Sequence, residues 1–177
     1  MKKLLMAAFV FASLTSAIAQ TSREDFKASM ERVEKLGKLS APKTTSVTTL
    51  DKLNSEIGDS AKESMKISPL LQNLYYRSIG QTNDGVTDVK VKKPTLKECE
   101  ELALRIFSQS KNVQAFAANV TSVSSESMSV TNPLKLAKIG SAVKYAKNAS
   151  TILGEESVFQ TKAIKSIIQT VKSAGNL

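Results

Sequence analysis

"NPLKLAKIGSAVKYAKNASTIL", residues 132–153, sets apolar side chains beside four lysines, and its reading decides the fold. At about 100° per residue, with Lys135 at zero, Leu134, Leu136, Ile139, Ala142, Val143, Tyr145, Ala146, Ala149, Ile152 and Leu153 gather on an arc of about 200°. Ser141, Lys144, Lys147, Asn148 and Thr151 fill the remainder, while Lys135 and Lys138 fall inside the apolar arc. A helix lying in a membrane surface keeps its lysines on one face and Trp, Phe or Leu on the other. Here two lysines sit on the apolar side, and the segment holds neither Trp nor Phe. A wide, alanine-rich arc suits a helix packed against two or more neighbours, with Lys138 burying its stem and keeping its amine in water. Packing inside a helical protein is the expectation.

The rest of the chain carries the same period. Downstream, Gly154 reads as a stop, and Glu155 and Glu156 fall in the first turn of a final helix through Ile164, Ile167, Ile168 and Val171. Upstream, Thr95 and Glu98 form a capping box that opens the longest helix, with Leu96, Cys99, Ala103, Ile106, Val113, Phe116 and Val120 as its inner stripe. That pattern blurs over 121–132, which reads as a frayed end or a loop. Residues 81–93 hold the Asn83-Asp84-Gly85 turn signal and read as a long loop or small hairpin. Ser68-Pro69 places a cap before a first-turn proline, so a helix is expected to begin there and stop at Gly80. Thr49 would cap the helix before it, which carries Leu50, Leu53, Ile57, Ala61 and Met65. Thr21-Ser22 caps the first, with Phe26, Met30, Val33 and Leu36 as its stripe. The expected fold is all-α, an up-and-down bundle of five or six helices.

The first residues, "MKKLLMAAFVFASLTSAIAQ", follow the order of a secretory leader: two lysines, an apolar run, then Ala17-Ile18-Ala19 as a small-residue cleavage site. The apolar run is about half the 20 residues an anchor needs. Residues 1–19 are therefore expected to be a cleaved signal peptide of bacterial type, leaving 20–177 as a single helical domain in the periplasm or outside the cell, with no integral membrane span. Cys99 is the only cysteine, so an internal disulfide is impossible and the fold rests on packing. Its place on an inner stripe makes it a buried structural thiol.

Histidine is absent, which removes Ser-His-Asp and Cys-His nucleophilic systems, imidazole acid–base work and histidine metal sites. No glycine-rich phosphate loop is present, and no cofactor is expected. The formal charge is +9, and residues 131–177 alone hold seven basic and two acidic side chains. Lys144, Lys147, Lys162, Lys165 and Lys172 are the candidate binding residues of this basic C-terminal region. With four arginines in the whole chain and few aromatics, base reading and base stacking are poorly supplied, so nucleic acid is not the expected partner. A protein partner or an anionic envelope component is. The reading is a non-catalytic interaction or structural module, with binding to a membrane surface or envelope polymer as the alternative.

A third reading comes from "EESVFQTKAIKS", residues 155–166, which resembles the lytic transglycosylase motif. The resemblance implies Glu156 as general acid of a cell-wall glycosidase-like enzyme, with Ser157, Phe159, Lys162, Ala163 and Ser166 at matching positions. It covers a dozen residues, and the family's proline after Phe is absent.

Overall fold

The computed structural model describes residues 21–128 and 132–174; the expected leader at 1–19 and residues 129–131 lie outside this range. Within it the protein is all-helical, with four helices: α1 (Arg23–Lys38), α2 (Thr48–Ser78), α3 (Leu96–Met128) and α4 (Pro133–Ala174). None is long and apolar enough to cross a membrane.

The count of five or six is corrected because two expected breaks do not occur. Helix α2 runs straight through Ser68-Pro69. Pro69 is exposed, and its missing N–H leaves the carbonyl of Met65 without its usual helical donor. The buried face continues without a phase change through Ile57, Ala61, Ser64, Ile67, Ser68, Leu71 and Leu74. Helix α4 likewise runs through Gly154, because Leu153, Glu156, Ser157, Gln160, Ala163, Ile164 and Ile167 keep one buried stripe in step across it. Glu156 is a stripe position, not the first-turn acid of a new helix. Helix α3 extends to Met128 and absorbs most of the blurred region.

The termini are otherwise as the local chemistry dictates. Ser22 and Asp25 form a reciprocal capping box on α1, and Thr95 and Glu98 do so on α3. At the end of α2, Gly80 adopts φ +71°, with its N–H bonded to Arg77 O and that of Gln81 to Tyr76 O. The start of α2 differs: Thr49 is not the cap. Asp51 reaches back to the backbone N–H groups of Thr45 and Ser46 and to the Thr45 hydroxyl. Residues 81–93 make a tight turn closed by one antiparallel bridge, Gln81 to Thr87, without a strand. Arg23 pins this turn by donating to Gln81 Oε1 at 2.6 Å and to the Gly85 carbonyl at 3.0 Å.

Cross-helix contacts set the directions. Arg77 meets Glu98 while Glu63 meets Arg105, so α2 and α3 are antiparallel. Ser68 meets Gln160 and Gly58 faces Tyr145, so α2 and α4 run parallel. Phe26 stacks edge-on to Phe159 and Arg32 meets Glu156, so α1 runs opposite to α4. The result is an up-and-down arrangement. One core cluster gathers Phe26, Ile67, Leu71, Cys99, Ile106, Ile164 and Ile167. A second gathers Leu36, Leu53, Ile57, Val113, Phe116, Tyr145 and Leu153. Ile139, Ala142 and Val143 close a third around Leu50. Most of the 132–153 arc thus packs inward, while Leu136 at its edge is exposed, as are Lys135 and Lys138; the Leu134 side chain lies outside what is described.

Candidate functional site: a lysine stripe and a buried carboxylate

Because α4 is one helix of 42 residues, the five lysines share a single frame. At about 100° per residue, with Lys144 at zero, Lys147 falls near −60°, Lys162 near zero, Lys165 near −60° and Lys172 near −80°. All five lie within an arc of about 80°, along about 42 Å of helix axis. Lys144, Lys147, Lys162 and Lys172 are exposed, and Lys165 is half-buried. Thr151, Gly154, Val158 and Gln169 complete the arc, and exposed Glu155 lies about 20° beside it. The structure therefore gathers all five candidate residues on one face, which two separate helices would not guarantee.

Helix α1 adds to one end of this face. A groove of about 430 Å³ runs between the end of α1 and α4, lined by Lys35, Lys38, Leu39, Asn148, Thr151 and Ile152. Lys38 is paired with Glu34. At the other end Lys162 lies near Asp25, whose carboxyl is held below its usual range chiefly by the Ser22 backbone N–H, with Lys162 contributing. Sequence reasoning missed Lys35 and Lys38, because nothing local says which flank of α4 the short α1 covers.

Glu156 is the second feature. Its side chain is 0% exposed, against 19% for Arg32. Oε1 accepts from Ser29 Oγ at 2.6 Å, Ser68 Oγ at 2.8 Å and Gln160 Nε2 at 3.2 Å. Oε2 accepts from Arg32 Nε at 2.9 Å. The Arg32 guanidinium also lies 5.5 Å from the centroid of Phe159. Nearby, Gln109 Nε2 donates to Ser60 O and Ser64 Oγ, so hydrogen bonds continue along the serine face of α2 between the two larger core clusters. Buried charge requires such pairing. Both oxygens of Glu156 are thereby engaged by α1, α2 and α4 side chains. Of the positions matching the transglycosylase motif, Ser157 and Ala163 are buried, Phe159 and Ser166 half-buried, and Lys162 lies on the stripe.

Cys99 is fully buried, and desolvation with Glu98 beside it pushes its thiol up to about 11. Compared with protein-family models, curated proteins and solved structures, the chain matches none of them.

Proposed function

We propose that this is an exported helical module, delivered by the 1–19 leader to the periplasm or outside, that works by non-covalent contact. Its contact surface is the lysine stripe of α4, and its partner is an anionic component of the envelope. The observation that carries the reading is the single narrow arc shared by Lys144, Lys147, Lys162, Lys165 and Lys172. Aligned like charges repel one another, at little cost to a bundle held by its core, and attract a polyanion together. The enclosure of Glu156 by four protein donors supports a structural role for that carboxylate. Co-sedimentation of the purified protein with anionic envelope polymer tests the proposal. Binding weakened by salt and abolished by Lys144→Glu with Lys147→Glu and Lys162→Glu, with the thermal melt unchanged, is expected. Retention of binding by that variant would overturn it.

A further inference from the structure

Resting on that reading, we propose that the stripe holds one unbranched, phosphate-bearing polymer chain laid lengthwise along α4, gripped at two lysine clusters separated by Glu155. The first cluster is Lys144 and Lys147, joined by Lys35 and Lys38 at the groove that Leu39 and Ile152 line. The second is Lys162, Lys165 and Lys172. Lys147 and Lys162 are fifteen positions apart in the sequence, or about 22 Å along the axis. A small anion reaches one cluster only. A folded acidic partner needs a patch of about 800 Å², whereas the stripe is one helix face wide. A bilayer needs apolar side chains to enter it, and Val158, 71% exposed, is the only large apolar side chain on the arc. A chain one unit wide and more than 40 Å long fits what remains. The cations are all lysine, compact point charges that hold phosphate without the fixed fork of arginine, so the polymer is held by charge along its length and not at one oriented group.

Glu155 makes this testable. It is exposed and lies between the clusters along the axis, about 20° beside the arc, so a chain spanning both must pass it. Fluorescence anisotropy with polyphosphate of graded length is the measurement. Affinity is expected to rise with length until the chain spans about 42 Å and then level off. The salt dependence should approach a log–log slope of about −3.5 with the five α4 lysines engaged and about −5 with Lys35 and Lys38 as well, on the scale of about −0.7 per contact on a single-stranded polyanion. Position 155 is about 12 Å from Lys147 and about 10 Å from Lys162 along the axis, so Glu155→Lys should raise affinity several-fold for spanning chains and by much less for chains shorter than about 10 Å, which do not reach it from either cluster. Lys144→Gln with Lys147→Gln should weaken spanning chains by about tenfold or more and abolish the length dependence. Equal affinity for short and long chains, or an equal gain from Glu155→Lys on both, would overturn the spanning mode while leaving the contact surface intact. Tighter binding to oligoglutamate of matched span and charge would assign the stripe to an acidic protein segment, and tighter binding to anionic vesicles would assign it to a membrane; either overturns the polymer. Stripe variants that bind every polyanion as the parent does would instead remove the contact-surface reading itself.

Discussion

Arg32 and Glu156, 124 residues apart, meet at 2.9 Å and tie the short first helix to the middle of the longest one. The carboxylate is fully enclosed while the guanidinium keeps one edge in water. Removing one member of such a pair leaves the other charge unmatched, at a cost of about 3 kcal/mol or more. Arg32→Leu should lower stability by about that amount in urea unfolding. Replacing Glu156 by Leu in the same chain should recover a large part of the loss, since two apolar groups need no partner.

Continuity of α4 predicts a gain. A Cβ built at Gly154 meets no atom within 4 Å, and its φ is not in the left-handed region. Gly154→Ala should therefore stabilise the protein by about 0.5–1 kcal/mol, raising Tm by about 2 °C. Were the chain to end a helix there with glycine in the left-handed conformation, alanine would lower Tm instead.

Glu98 predicts a pH dependence. The Thr95 backbone N–H, Arg77 and the Thr95 hydroxyl hold its carboxyl down to about 2, against 4.5 for an unperturbed glutamate. A depressed folded-state value means that the contribution is complete above about 4.5 and is lost as pH falls toward 2. Glu98→Gln should cost about 1 kcal/mol at pH 7, the worth of a helix cap. The gap between variant and parent should close between pH 4.5 and 2 in acid titrations of stability.

Burial of Cys99 predicts protection. With no exposed surface and a thiol raised to about 11, it should react with a thiol reagent at pH 8 orders of magnitude more slowly in the folded protein than in urea. Fast labelling of the native protein would mean that the N-terminal end of α3 opens locally.

The apolar periodicity carried the helices and much of the core. Phe26, Leu53, Ile57, Ile106, Ile139 and Ile167 are all buried where their spacing puts them. Polar residues that serve as core were not legible. Glu156 and Gln160 look like surface positions, so Gly154 reads as a stop, and Ser68-Pro69 reads as a cap with a first-turn proline although Ser64 and Ser68 continue the buried face of α2. Their burial depends on partners far off in the chain: Ser29 for Glu156, Gln109 for Ser64. Ser29 also takes the inward place expected for Met30, which is 39% exposed. Local caps read well at Ser22, Gly80 and Thr95, and failed at Thr49 because Asp51 reaches backward across the linker. The five lysines were visible as a cluster in composition, but their shared line required an unbroken helix.

The partners of Glu156 have one last effect. Apolar helices can slip past one another by a turn, about 5.4 Å, and still find grease to touch. A slip of α4 by one turn along α2 would still offer the carboxylate a hydroxyl, Ser64 in place of Ser68, but would carry it away from Ser29 and Arg32 on α1. Those two side chains work as a notch into which only one alignment of the longest rod will drop, and they fix how far the lysine edge extends beyond the short first helix.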